Sequence, residues 1–416
     1  MTTLEKNRLD LYDKDHTLSV RVEDFKNFRN STALTYMRNI TSPAGRVVTV
    51  IDPFSGEDKQ LLMFASNNYL GLANHPKVIQ AIKKSMDIYG CGIGGPPLLN
   101  GYLTLTKKTE ERLADLKGQE RAMLFSSGFL ANLGVVSALA QHNDIIFFDE
   151  LNHASFYDGL RLTKAKAIMF SHNDTDDLER LIKLNISGLK GDIYVFSEGV
   201  FSMDGDLGKL KKITELCQIY GAKLVLDDAH GTGVIGPNGK GTAAHLNCED
   251  KVDVLMGTFS KVFATCGGFL AGSRDLIDYM RFHCRPYVFS AAIPPTITSA
   301  VLAGLDVIEK EPWLQQRLLD IAAYGIKKLS HFEFFSQPEA AIIALKLPEY
   351  MDIRKAAFAL HQKGLFINSI EYPAVPLGEQ RFRISFMADH TEKDIDHLAE
   401  SLDEVWNDQY NYTYPE

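Results

Sequence analysis

Two segments hold residue types that could act together on a small molecule. In MGTFSKVFATCGGF (256–269), Lys261 follows an apolar run and has Thr, Ser and Gly for neighbours. A lysine that carries a carbonyl cofactor as a Schiff base must stand at a rigid sheet edge, and small neighbours leave room for a flat ring. Thr258 and Ser260 could donate hydrogen bonds to a phosphate. The alternative, a loop lysine in solvent, needs none of this company. In KLVLDDAHGTGVIG (223–236) an acid ends an apolar run, which costs free energy unless the acid is paired. A pyridinium nitrogen is such a partner. Asp227 is therefore read as the acid that keeps the ring of pyridoxal 5'-phosphate (PLP) protonated, with His230 near the ring oxygen and Asp228 as a structural cap.

The same stretch contains a literal GxGxxG at Gly231, Gly233 and Gly236. A dinucleotide fingerprint needs those glycines to open a helix directly after a strand. Here DDAH intervenes and PNGKGTAAH follows, so the match is read as chance in a glycine-rich loop. A phosphate cradle is expected in RAMLFSSGFLANLGVVSAL (121–139), where a strand ends at Ser126–Ser127–Gly128 and a helix begins at about Phe129. Free amides at a helix start bind phosphate, and Gly allows close approach. An ordinary Ser-capped helix is the alternative.

His153, in DELNHASFYDG (149–159), follows another apolar run and could stack on the ring; a merely satisfied turn histidine is the competing reading. Glu198 and Ser202, in SEGVFSMDGD (197–206), hold the equivalent place after the next run. Arg383, in EQRFRISF (379–386), could grip a substrate carboxylate through its planar fork, or form a surface salt bridge.

The elements that must position these residues follow from the apolar pattern. Ala122–Phe125, Ile145–Phe148, Ala167–Phe170, Ile193–Phe196, Lys223–Leu226 and Val254–Met256 read as buried strands, most followed by a turn and a helical stretch such as Leu207–Tyr220. That rhythm predicts βαβ units and a mainly parallel sheet, whose ligands sit beyond the carboxyl ends of the strands. From about residue 300 the texture changes. Ile297–Lys310 and Trp313–Leu329 read as long helices. Ala341–Leu345, Phe366–Asn368 and Arg383–Phe386 read as strands, and Glu392–Trp406 as a last helix. The expected organisation is an N-terminal arm (1–62), a large cofactor-binding domain (63–300) and a smaller α+β domain (301–416).

Composition sets the outer bounds. With 416 residues, 45% hydrophobic and 23% charged, the chain has ample length for a large core. A net charge of −9 without a basic stripe argues against nucleic acid. The five cysteines are scattered and form no CxxC, so neither a zinc site nor a disulfide framework is expected. The charged start is unlike a secretory signal, and no apolar run reaches the roughly 18 residues of a membrane span. A soluble cytoplasmic protein, with at most peripheral membrane contact, is expected.

SNNYLGL (66–72), FSSGFLANLG (125–134), NHAS (152–155), EGVFSMDGD (198–206), DDAHGTGVIG (227–236) and GTFSK (257–261) together resemble the α-oxoamine synthase family. The matches run in family order from about residue 63 to 400. The resemblance implies a fold-type I PLP transferase with a mainly parallel seven-stranded sheet. It also implies a homodimer that joins an amino acid to an acyl-CoA or acyl-carrier-protein thioester, with loss of carbon dioxide. It assigns Lys261 as the Schiff-base lysine, Asp227 as the pyridinium partner and His153 as the stacking residue. Ser202 and His230 would contact the ring hydroxyl. Ser127, Gly128, Phe129 and Thr258 would hold the phosphate with Ser290 of the partner subunit, and Asn67 and Arg383 would bind the amino-acid carboxylate. LLNG (98–101), PAVP (373–376) and SFMADHT (385–391) are similar to the serine palmitoyltransferase branch, which implies L-serine and a long-chain acyl-CoA. EGVFSMDGD is equally similar to the 8-amino-7-oxononanoate synthase branch, which implies alanine and a pimeloyl thioester. Pro96–Pro97, where most relatives have Ser-Arg, and Thr106, where serine palmitoyltransferases often have His, depart from the pattern near the substrate entrance. Three other readings stay open: another α-aminoketone or signal-molecule synthase, a plain aminotransferase, and a silent regulatory subunit, which would have lost the lysine that stands here at 261.

Overall fold

The structure is a computed structural model that describes residues 17–30, 35–372 and 374–407. Parts of the expected arm (1–16 and 31–34), Pro373 of the PAVP segment and 408–416 lie outside the described residues. The chain divides into two compact units. One gathers the described residues up to Ser66 with Ile321–Pro338 and those from Ile342 onward; the other holds Asn67–Asp320 with Glu339–Ala341.

In the first unit, β1 (Asn39–Ile40), β2 (Val47–Ile51) and β3 (Asp58–Met63) form an antiparallel run. The second unit contains β4 (Arg121–Phe125), β5 (Ile145–Asp149), β6 (Lys166–Phe170), β7 (Ile193–Glu198), β8 (Lys223–Asp227), β9 (Val254–Thr258) and β10 (Gly268–Gly272). The first unit resumes with β11 (Ile342–Lys346), β12 (Leu365–Phe366), β13 (Asn368–Ile370) and β14 (Arg381–Ser385). β12 joins β3 in parallel, and β11, β14 and β13 form a separate three-stranded sheet.

The seven strands of the second unit run in the order β4-β10-β9-β8-β7-β5-β6. All neighbours are parallel except β10, which is antiparallel to both β4 and β9. β5, β7, β9 and β10 are buried along their whole length, as continuous apolar runs covered on both faces should be. β6, at one edge, is largely exposed. The helix Gly128–Leu139 is apolar on nearly every side and lies in the core with Phe125, Phe156, Phe196, Val225 and Met256.

The helix-rich rhythm and the strand positions match the sequence reading, with four differences. β10 (GFLAG) went unassigned among the sequence-read strands because two glycines and an alanine weaken its apolar signal. Residues 39–63 are strands of the first unit and not an arm, because β3 finds its parallel partner three hundred residues on, in β12. The division expected at 300 falls at 320, because the helix Pro295–Lys310 packs on the helices Pro76–Tyr89 and Thr104–Lys117. Phe366–Asn368, read as one strand, is split between two sheets at Ile367. Among the described residues no helix is long and apolar enough to cross a membrane.

Candidate active site

The carboxyl ends of β4, β5, β7, β8 and β9 open onto one cavity of about 330 Å³. Its lining includes Ser127, Gly128, Phe129, His153, Glu198, Ser202, Asp227, His230, Thr258, Ser260 and Lys261, all singled out from sequence. Lys261 is half-buried in the tight connection from β9 to β10. That turn is closed by the Phe259 amide on the Gly267 carbonyl (2.9 Å) and the Ala264 amide on the Lys261 carbonyl (2.8 Å). Ala264 takes a left-handed φ of 49° to make the turn.

Asp227 ends β8, where its Oδ1 accepts from the Ala229 amide at 3.0 Å and its Oδ2 from Asn132 Nδ2 at 2.7 Å. The next residue, Asp228, turns away from the cavity. Its carboxylate accepts from Lys117 Nζ (2.7 Å) and Thr242 Oγ1 (2.7 Å) and is fully buried, which is the structural role expected for it. His230 is buried and its Nδ1 lies 2.7 Å from the Tyr69 hydroxyl.

His153 caps the helix Ala154–Leu160. Its amide donates to Glu198 Oε1 at 2.5 Å, and its Nδ1 lies 2.7 Å from Ser155 Oγ. Burial foremost, and then the charge of Lys261, push His153 below its ordinary value, against the opposing pull of Asp227. Burial again foremost, reinforced by Asp227, holds the Glu198 carboxyl well above the ordinary carboxylate range.

The helix Gly128–Leu139 starts one residue earlier than expected, with Ser127 as its cap accepting from the Leu130 amide at 3.1 Å. The Gly128 and Phe129 amides, in the first turn, have no acceptor within the helix. Gly128 is required here: a Cβ would stand 2.8 Å from Thr258 Oγ1 and 3.1 Å from Met256 Cε. Thr258 Oγ1 donates to the Gly267 carbonyl (3.1 Å) and accepts from the Ser260 amide (3.3 Å). A lysine at one wall, an acid at a strand end and a glycine-floored helix N-terminus fit a flat, phosphate-bearing pyridine aldehyde such as PLP.

Two expected residues do not line the cavity, and a third belongs to the first unit. Asn67 accepts from the Tyr69 hydroxyl at 3.3 Å and does not line the cavity. Ser290, beyond the short helix Arg285–Val288, is not in the lining of its own chain's cavity. Arg383 is on β14 in the first unit, 4% exposed and donating to Ser385 Oγ at 2.9 Å, which excludes a surface salt bridge. Sequence reasoning missed Asn132, Ser155 and Cys266, all of which line the cavity. Asn132 had a signal, as the one amide within an otherwise apolar helix; Cys266 had none beyond its nearness to Lys261.

A sequence model of the family described as aminotransferase class I and II matches residues 59–402. The chain is 39% identical over 380 residues to serine palmitoyltransferase of Bacteriovorax stolpii, spanning 91% of this chain and 88% of that one. It is 36% identical over 366 residues to 8-amino-7-oxononanoate synthase of Thermoanaerobacter pseudethanolicus, spanning 86% and 92%. Among solved structures, a lysine-to-alanine serine palmitoyltransferase from S. paucimobilis with a bound PLP–myriocin aldimine superposes with a TM-score of 0.86. It is 28% identical, and the match covers 98% of this chain and 99% of that one.

Proposed function

The chain belongs to the aminotransferase class I and II family, among its α-oxoamine synthases, and on that premise we propose that it condenses L-serine with a long-chain acyl-CoA, releasing coenzyme A and carbon dioxide. The observation that carries the reading is the convergence of Lys261, Asp227 and His153 on one cavity floored by a helix N-terminus. PLP, which the relatives and this lining both support, supplies an electron sink for the bond to the amino acid's α-carbon.

The chain's own residues do the rest. The Lys261 amine anchors the cofactor carbonyl and, once released, removes the proton from the α-carbon of the amino acid. Asp227, aimed by Asn132 and the Ala229 amide, holds the proton of the pyridine nitrogen. The Gly128 and Phe129 amides, with Ser127, take the phosphate, and Thr258 joins them once its hydroxyl turns from the Gly267 carbonyl. His153 covers the ring face and orients the substrate, while Ser202 and His230 stand toward the ring hydroxyl. Ser290 of the partner subunit completes the phosphate contacts in a homodimer. Phe282 and Phe289, 69% and 73% exposed, support such an interface.

Serine with a long acyl chain is favoured by the LLNG and SFMADHT segments and by the 39% relative. Alanine with a pimeloyl thioester is the second reading, supported by EGVFSMDGD and the 36% relative. A spectral titration of the PLP-loaded protein with serine, alanine and glycine separates them: serine is expected to shift the visible band at the lowest concentration. Free thiol released from palmitoyl-CoA, and not from pimeloyl-CoA, completes the test. Lys261→Ala is expected to abolish both the visible band of the lysine-bound cofactor and thiol release; retention of both would overturn the assignment.

A further inference from the structure

A chain of hydrogen bonds runs from Asp227 through Asn132 and Ser155 to His153, and it ends on a backbone donor whose direction is fixed. Asp227 Oδ2 lies 2.7 Å from Asn132 Nδ2. The amide must present its nitrogen there, because the flipped amide would set oxygen against oxygen. The same nitrogen donates its other hydrogen to Ser155 Oγ at 2.9 Å. Ser155 Oγ, which accepts from Asn132, keeps its own hydrogen free to give to His153 Nδ1 at 2.7 Å. The Ser155 backbone N–H also points at His153 Nδ1, at 3.3 Å, and a backbone N–H can only donate. Two donors converge on one ring nitrogen, so that nitrogen carries no proton.

We propose that Ser155, held in place by Asn132, is a positioning residue that locks His153 as the neutral tautomer protonated at Nε2, a fixed hydrogen-bond donor in the cavity and not a proton acceptor. Charging the ring would place a hydrogen on Nδ1, against two donors. The Ser155 hydroxyl could turn round; the backbone N–H could not. The groups packed about His153 are Asp227 from β8, Lys261 from the turn after β9, and Glu198 from β7, whose Oε1 takes the His153 amide. Burial and Lys261 act in the same direction as the hydrogen-bond chain, and Asp227 against it. An uncharged imidazole is the form that lies on a pyridinium without like-charge repulsion. That last point rests on the proposed cofactor; the tautomer itself rests only on the protein's own bonds.

The test is a multiple-bond nitrogen–proton correlation spectrum of the PLP-loaded protein with ¹⁵N-labelled histidine, the His153 signals assigned by their loss in His153→Gln. The expected pattern is an unprotonated Nδ1 and a protonated Nε2 across roughly pH 6 to 8, the range in which an unperturbed histidine titrates. Ser155→Ala removes the hydroxyl and keeps the backbone donor. It is expected to raise the proton affinity of His153 roughly tenfold, the scale of one hydrogen bond, and Ser155→Thr is expected to restore it. A protonated Nδ1 in the parent, or a Ser155→Ala titration indistinguishable from the parent, overturns the proposal. Failure of the protein to acquire a visible band with PLP would instead sink the functional reading and leave the tautomer standing.

Discussion

Lys117 Nζ and Asp228 Oδ2 form an ion pair 2.7 Å long in which both side chains are only 1% exposed, and Asp228 is the residue next to Asp227. The pair therefore ties the helix Thr104–Lys117 to the end of β8 at the point where that strand delivers its acid to the cavity. Lys117 also donates to the Lys240 carbonyl at 2.7 Å. Removing one member of a buried pair leaves the other uncompensated, which costs about 3–5 kcal/mol. Lys117→Met is expected to lower stability by that amount in chemical denaturation, and to weaken PLP binding in the variant that remains folded.

Glu198 and Asp227 face each other across the β7–β8 ladder and line the same cavity. Burial raises the Glu198 carboxyl, which brings an uncharged amide of the same shape closer to it than to an ordinary carboxylate. Glu198→Gln keeps an oxygen for the His153 amide and is expected to change stability by less than about 1 kcal/mol, whereas Glu198→Ala leaves that amide without an acceptor at a cost of about 1–3 kcal/mol. Thermal melts of the two variants beside the parent decide the matter; equal losses would contradict the role of the Glu198 oxygen as acceptor for the His153 amide.

Gly128→Ala would force a methyl group against Thr258 Oγ1 and Met256 Cε. The expected cost is about 1–3 kcal/mol of overpacking, together with at least a tenfold loss of PLP affinity as the helix start is displaced from the cavity floor. Fluorescence titration of the apo-protein with PLP reads the second effect separately from the first.

His172 lies between two carboxylates, Asp149 on Nδ1 at 2.9 Å and Asp206 on Nε2 at 3.0 Å. Burial opposes its charge, but the hydrogen bonds to Asp149 and Asp206 outweigh burial and raise it to about 10. A histidine raised on folding contributes stability that is complete below its unfolded value of roughly 6.5 and is lost as pH climbs through the folded value. Unfolding free energy is therefore expected to fall between about pH 6.5 and 10, and His172→Gln is expected to flatten that slope. Asp206 belongs to the loop that carries Ser202, so the same variant is expected to loosen the site at neutral pH, seen as a higher KM for the amino acid.

The site was legible in sequence wherever a polar residue breaks the end of a long apolar run. Asp227 does so, His153 and Lys261 follow such ends within four residues, and a parallel sheet gathers the ends of its strands on one side. What stayed hidden depends on partners far apart in the chain. Ser155 looks like an ordinary residue of a helix first turn until Asn132, 23 positions earlier, is brought against it. β3 and β12 gave no sign in sequence of belonging together, since pairing across three hundred residues leaves no local periodicity. Pro295–Lys310 read correctly as a helix, but its allegiance to the larger unit is written in the apolar faces of Pro76–Tyr89 and Thr104–Lys117 and not in its own pattern.

The antiparallel β10 also sets a rule about chain length. Gly268 pairs at once with Phe125 of β4 and Thr258 of β9, so both strand ends are level with it, and the connection carrying Lys261 is closed again by Phe259 on Gly267 and Thr265 on Phe259. Extra residues in the crossover between β5 and β6 can be absorbed by a longer helix or loop. One extra residue between Thr258 and Gly268 would instead slip the ladder or swing the lysine out of line. Descendants of this chain should vary freely in the length of their helical crossovers and hold that one hairpin fixed.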